Sequence, residues 1–233
     1  MMETVRNSLA LVAGGTGYVG EGIVKSLLDR GARVVVPFRN AEKADRLRAA
    51  VSPPLLDGLD LQHTVITDQD SMEHLMSYII ETYGRLDIAV ASLGGWYYGY
   101  SLHRMPMEDW QALLTNNLNS HFMFMKPVME YFYKVNGGEY VMINGSASEK
   151  PVPESGVISV LAGAQKMMGQ VLREEAHGTG IQVSTLIPTQ PVKTRERMVD
   201  NMESWFSAEE LGQFICDIVE GSRPRQDSGV YYL

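Results

Sequence analysis

Cysteine is nearly missing from this chain. Cys216 is its one thiol in 233 residues, which excludes an intrachain disulfide and a cysteine-built metal centre and points to a reducing cytoplasm. Positive charge is also in short supply. Twenty lysines and arginines stand against 28 aspartates and glutamates, a formal net charge of −8 with a sequence pI near 5.2. Nucleic acid and anionic membrane surfaces are therefore not expected partners, although a local basic pocket for one phosphate stays open. No long apolar run is present either. The opening stretch "MMETVRNSLALVAGGTGYVG" is broken by glycines well short of the ~20 apolar residues a spanning helix needs, and no targeting segment is evident. Proline clusters only in "SPPLLDG", too short for a domain linker, and there are no repeats. One domain over residues 1–233 is expected.

What is present is an alternation of short apolar runs with helical periods. "LALVA" (9–13), "ARVVV" (32–36), "LDIAVA" (86–91), "EYVMI" (139–143), "IQVSTLI" (181–187) and "GVYYL" (229–233) read as strands, several of them apolar throughout and so buried on both faces. Between them, Ile23, Val24, Leu27 and Leu28 make a helical stripe that Gly31 is placed to stop. Met72, Leu75, Met76, Ile79 and Ile80 make another, with Ser71 as the expected N-cap. Trp110, Leu113 and Leu114 lie on one helix. "HFMFMKPVMEYFY" forms a second, with Pro127 as a kink or boundary. Ala164, Met167, Met168, Val171 and Leu172 are spaced as a core-facing stripe beside Lys166. "SAEE" (207–210) is a capping box before the last helix. Fourteen methionines fall mainly at such positions and read as core filling. The repeated strand–helix–strand order predicts an α/β, Rossmann-type, doubly wound parallel sheet with helices on both faces.

"VAGGTGYVGEG" follows the first strand and opens the first helix. Gly14, Gly17 and Gly20 recur three apart, where a backbone turns tightly and presents free helix N–H groups to a pyrophosphate. In this strand–turn–helix setting Gly14, Thr16, Gly17, Tyr18, Val19 and Gly20 are read as a dinucleotide-binding turn. The second strand then ends "VVVPFRN". A carboxylate there would bind a ribose 2′-hydroxyl; instead Arg39 and Asn40 stand at that place, with Lys43 nearby. An arginine fork suits a 2′-phosphate, so NADP(H) is favoured over NAD(H).

By these motifs the chain resembles the short-chain dehydrogenase/reductase family over nearly its whole length. "YGRLDIAVASLGG" is similar to the family's fourth strand and the segment after it. "WQALLTNNLNSHF" resembles the helix with the family's active-site asparagine, which falls on Asn117. "IPTQPVKT" resembles the segment that contacts the nicotinamide carboxamide, with Val192 and Thr194 at the matching places. The resemblance implies a ribose-binding lysine at Lys166 and a homodimer or homotetramer paired through "NLNSHFMFMKPVMEYF" and "AQKMMGQVLREEA". It also exposes departures. The family's tyrosine, one helical turn before the lysine, falls on Ala162. Its serine falls on Gly145, with Ser146 one residue on and Ser148 near. An aspartate that commonly touches adenine falls on Val65.

A free phenol titrates near 10 and needs a neighbouring cation to act near neutrality; with Ala162, Lys166 has no phenol to tune. Candidate replacements lie on the loops after the fourth and fifth strands: Tyr97, Tyr98, Tyr100 and His103, then Ser146, Ser148, Glu149 and Ser155. The leading expectation is an atypical NADP(H)-dependent oxidoreductase acting on a carbonyl or alkene, with Asn117, Ser146, Lys166, Tyr97 and Tyr98 as candidate catalytic residues. The alternatives are a non-catalytic NADP(H)-binding sensor or partner protein, and a non-redox lyase, isomerase or cyclase on the same scaffold. "RERMVDNMESWF" is expected to cover the site.

Overall fold

A computed structural model describes residues 4–193 and 205–233. Its strands are β1 (Leu9–Ala13), β2 (Arg33–Phe38), β3 (Leu59–His63), β4 (Ile88–Ala91), β5 (Gly138–Ile143), β6 (Ile181–Ile187) and β7 (Val230–Tyr232). They form one sheet in the order β3-β2-β1-β4-β5-β6-β7, and every neighbouring pair is parallel. Strand order reverses between β1 and β4. In an open α/β sheet the crevice outside the carboxyl ends at such a reversal is where ligands bind.

The helices are α1 (Tyr18–Asp29), α2 (Ala41–Ala50), α3 (Gln69–Tyr83), α4 (Met107–Leu114), α5 (Ser120–Val135), α6 (Gly156–Glu175) and α7 (Ala208–Val219). Two apolar layers follow from the period-2 alternation of the strands. Ala10 and Val12 face one layer, with Ile23 and Leu27 of α1 and Leu211 and Ile215 of α7. Leu9, Leu11 and Ala13 face the other, with Leu75, Phe124, Val128 and Leu172 from α3, α5 and α6. Helices α1 and α7 approach closely because Gly22 and Gly212 lack side chains. A methyl on Gly22 would stand 2.3 Å from the Ala208 carbonyl carbon.

Several local expectations need correction. Strand β3 and helix α2 had no apolar signature: β3 is only half buried and α2, "AEKADRLRAA", buries just Ala44 and Leu47. The N-cap of α3 is Asp68 rather than Ser71. Its carboxylate accepts from the Ser71 N–H at 2.9 Å and from the Ser71 hydroxyl, so the acid satisfies an orphan donor that the serine does not. Pro127 lies inside a continuous α5. In α6 the stripe is rotated: Met167 and Val171 are exposed, while Val157, Ile158, Leu161, Ala162, Gln165, Gly169 and Leu172 face inward. Gly169 is needed there, since a methyl would meet Thr185 Oγ1 at 2.5 Å. The Gly31 stop, with φ of 84°, and the Ser207–Glu210 capping box both form as read.

Candidate functional site

A cavity of about 550 Å³ opens at the β1/β4 reversal. The glycine loop makes one wall, and its three spaced glycines do different work. Gly14 has φ of +78°, and a Cβ there would lie 2.0 Å from the Ser92 carbonyl oxygen of the β4 loop. Gly20 packs behind it, its hypothetical Cβ 2.1 Å from the Gly14 oxygen. Gly17 lines the cavity and caps α1. The Glu21 N–H is the first to bond back, to the Gly17 carbonyl at 2.8 Å. The N–H groups of Val19 and Gly20 therefore have no intrahelical acceptor, and the helix presents them and its positive dipole end to an anion.

Across the cavity stand Arg39, Asn40 and Lys43. Asn40 is spent as the N-cap of α2, accepting from the Lys43 N–H at 2.9 Å. Arg39 and Lys43 are exposed, and neither has a carboxylate within 4.0 Å among the described residues. Val65 also lines the wall. The far end is closed by the β4 loop through Ser92 and Trp96, and by Asn116, Asn117 and Ser120.

Asn117 ties three elements together from a π-turn over Thr115–Asn119. Its Oδ1 accepts from the Gly95 N–H at 2.7 Å, its Nδ2 donates to the Leu113 carbonyl at 3.1 Å, and its own carbonyl accepts from Gln165 Nε2. One turn on, His121 is fully buried with Nε2 3.2 Å from the Leu93 carbonyl. A carbonyl can only accept, so Nε2 carries the proton, and Nδ1 has no partner among the described residues. Burial pushes the imidazole pKa down to about 4, so this histidine is neutral at pH 7 and serves as a strut for the loop.

Lys166 is engaged elsewhere. Its Nζ lies 2.7 Å from Glu149 Oε1, and that hydrogen bond raises the lysine pKa and lowers the Glu149 pKa. Ser148 Oγ donates to the same carboxylate at 3.1 Å, and the Tyr232 hydroxyl at 3.4 Å. Neither Lys166 nor Glu149 lines the cavity. Tyr98 is exposed and its hydroxyl donates to Glu154, which raises the phenol pKa. Tyr97 packs against an apolar cluster built from Ala147, Val157, Ile158, Leu161 and Ala162. Ser146 is exposed at the head of a short 3₁₀ turn.

A family model described as short chain dehydrogenase matches residues 8–204. The chain belongs to the short-chain dehydrogenase family. Curated relatives are distant. An uncharacterized oxidoreductase of Staphylococcus epidermidis is 21% identical over 187 residues, 80% of this chain and 79% of that protein. Dehydrogenase/reductase SDR family member 4 of Bos taurus is 27% identical over 184 residues, 78% of this chain and 65% of that protein. Among solved structures, a short chain dehydrogenase from Bacillus anthracis superposes with a TM-score of 0.88 at 16% identity, covering 99% of this chain and 96% of its own. ElxO, solved with NADP bound, gives 0.86 at 18% identity, covering 97% and 96%. At these identities the structural likeness concerns the fold.

Within this short-chain dehydrogenase the sequence-read residues divide between two places. Gly14, Thr16, Gly17, Arg39, Asn40 and Asn117 lie on the cavity wall. Tyr97, Tyr98, Ser146 and Lys166 lie off it, on the loops and on α6. Val192 pairs with Phe206 in an isolated bridge and packs on the core. Thr194 and most of "RERMVDNMESWF" lie outside the described residues. Sequence reasoning missed Arg46, which donates to the Thr16 carbonyl at 2.9 Å, and Gln165 on the Asn117 carbonyl. A polar residue at a core-facing helical position was the available signal for Gln165.

Ala162 is buried within its apolar cluster, and its carbonyl accepts from Asn144 Nδ2 at 2.9 Å. An Ala162→Tyr variant is expected to lose roughly 1–3 kcal/mol of stability by overpacking, read as a lowered urea midpoint. It should not acquire a low-pKa phenol while Glu149 holds Lys166. Ultraviolet titration of the variant's added phenolate checks this; one titrating below about 9 would contradict it.

Proposed function

We propose that this protein binds NADP(H) in the cavity between β1 and β4 and is an NADP(H)-dependent oxidoreductase for a small carbonyl or alkene compound. The observation that carries the reading is that the exposed cations Arg39 and Lys43, with no carboxylate within 4.0 Å among the described residues, line the same cavity as the N-terminal end of α1. The group fits the residues present. The wall at Gly17 is bare where a pyrophosphate needs close approach, and the first turn of α1 presents the N–H groups of Val19 and Gly20, which have no intrahelical acceptor. Arg39, with Asn40 beside it, takes the 2′-phosphate, and a guanidinium fork is suited to that anion. Val192 and Thr194 are assigned to the carboxamide end by the family pattern alone.

The bound cofactor would supply the hydride. The chain's own part at the reacting end is to hold and exclude. Asn117 fixes the β4 loop through Gly95, and Trp96 borders the substrate approach. Lys166 stays protonated beside Glu149 and, with three N–H donors, still has some to offer a ribose hydroxyl. Ser146, Tyr97 and Tyr98 are the remaining candidates for contact with substrate. The exposed apolar residues Phe122 of α5 and Val160, Met167 and Val171 of α6 support self-association through these two helices.

Arg39→Ala tests the cofactor assignment. It is expected to weaken NADPH at least tenfold, since a charged hydrogen bond contributes about 1.5–3 kcal/mol, and to leave NADH within about threefold. Fluorescence titration of both nucleotides reads this, and equal effects on the two would contradict it. Substrate-dependent NADPH oxidation over a panel of ketones, aldehydes and enones tests the activity. Ala162 and the Lys166–Glu149 pair favour a second reading, an NADP(H)-binding protein without turnover. NADPH binding with no oxidation across that panel would select it.

A further inference from the structure

Helix α2 places a third cation beside the phosphate end of the cavity. Lys43 and Arg46 are three apart and so neighbours on the surface of the helix, while Ala44 and Leu47 turn to the core. Arg46 is half buried. Its Nη2 donates to the Thr16 carbonyl at 2.9 Å, and its guanidinium carbon lies 5.0 Å from the centre of the Tyr18 ring. Its Nε is buried without a hydrogen-bond partner among the described residues.

Such a group is normally matched by an anion, because removing a charge from water is costly unless it is paired. Arg46 has a neutral carbonyl and an aromatic face instead, and no carboxylate lies within 4.0 Å of it among the described residues. On its own helix, Asp45 is directed to Arg48. Arg39 and Lys43 line the cavity, and Arg46 stands behind that wall, gripping Thr16, which is part of it; none of the three has a compensating acid within 4.0 Å among the described residues.

We infer that Arg46 is a positioning and specificity-determining residue for the cofactor 2′-phosphate, holding Thr16 against that group and adding a third positive charge to its site. This rests on the NADP(H) reading above. A phosphate monoester carries about −1.5 to −2 at neutral pH, so it is matched better by three cations than by one. A residue that merely stapled the glycine loop would affect every nucleotide alike. A residue serving the 2′-phosphate separates nucleotides that carry it from those that do not.

The test is calorimetric titration with NADPH, NADH, 2′,5′-ADP and 5′-AMP against the unmodified protein, Arg46→Met and Arg46→Lys. Methionine keeps an apolar stem over Tyr18 and deletes the fork; lysine keeps the charge and loses the planar geometry. Arg46→Met is expected to weaken NADPH and 2′,5′-ADP about tenfold or more and to leave NADH and 5′-AMP within about threefold. Arg46→Lys should recover part of the NADPH-to-NADH ratio, and that ratio should shrink at high salt for the unmodified protein more than for Arg46→Met. Equal weakening of all four ligands, or no weakening, overturns the inference. If Arg46→Met fails to fold, the ratio in Arg46→Lys decides, with an unchanged ratio counting against. An unmodified protein that does not prefer NADPH removes the cofactor reading itself. A preference that survives both substitutions removes only the role of Arg46.

Discussion

A single methyl at position 14 is expected to destroy nucleotide binding and much of the fold's stability. Gly14 sits at φ of +78°, where an alanine is strained, and its Cβ would fall 2.0 Å from the Ser92 carbonyl oxygen and 2.8 Å from the carbonyl carbon. Both are backbone atoms, at the point where the β1 and β4 loops meet, so no side chain can swing aside. Either the glycine loop lifts or the β4 loop retreats, and each movement deforms the cavity wall. Backbone strain of about 1–3 kcal/mol and overpacking of about 1–3 kcal/mol together put the loss near 3 kcal/mol or above. Urea unfolding of Gly14→Ala should show a clearly lowered midpoint, and NADPH affinity should fall by about a hundredfold or more. A variant with unaltered midpoint and affinity would mean the two loops are not packed as described. Gly17→Ala is the informative contrast. Its Cβ would meet only the Gly14 oxygen, at 3.1 Å, so it should spare stability and penalise binding.

The second large effect is in acid. His121 has an ordinary pKa of 6.5 when exposed and about 4 in its buried seat against Leu93. Between those values the unfolded chain binds a proton that the native protein refuses. Stability is therefore complete above pH 6.5 and declines as pH falls toward 4. The linkage amounts to about 2 kcal/mol by pH 5 and about 3 kcal/mol when both states are protonated. Carboxylates with lowered pKa, Asp68, Glu149 and Glu210, lose their contributions only below their ordinary range. The window from pH 6.5 to 5 therefore isolates the histidine. Urea midpoints at pH 7.5, 6 and 5 should fall progressively, and His121→Gln, which keeps a donor toward Leu93, should flatten that limb. An unmodified protein equally stable at pH 7.5 and 5 would contradict the buried neutral seat.

The parts legible in the sequence are those in which one residue type has one physical use. Continuous apolar runs became strands buried on both faces, and the glycines at 14 and 20 became close backbone contacts that no Cβ-bearing residue can copy. Strand β3 and helix α2 escaped notice because an edge element covers little core and carries polar residues. The α6 stripe was misread for a related reason. Met167 and Val171 are apolar but exposed, while the inward face uses Gln165 and Gly169, chosen for a carbonyl and for Thr185. Partnerships between distant loops were the least visible. Nothing in "GSASEK" says that Glu149 reaches Lys166, and nothing in "AEKADRLRAA" says that Arg46 grips Thr16. Such pairs depend on where the sheet sets two loops down, and their spacing along the chain carries no period.

The most direct measurement is a titration of the nucleotide-stripped protein with NADPH and with NADH, followed by fluorescence or heat. Micromolar binding of NADPH with NADH at least tenfold weaker is the expected result for a cleft that joins an open helix N-terminus to Arg39 and Lys43. Binding of neither nucleotide would reduce the likeness to other short-chain dehydrogenases to one of fold, and equal binding of both would remove the 2′-phosphate from the assignment of those cations.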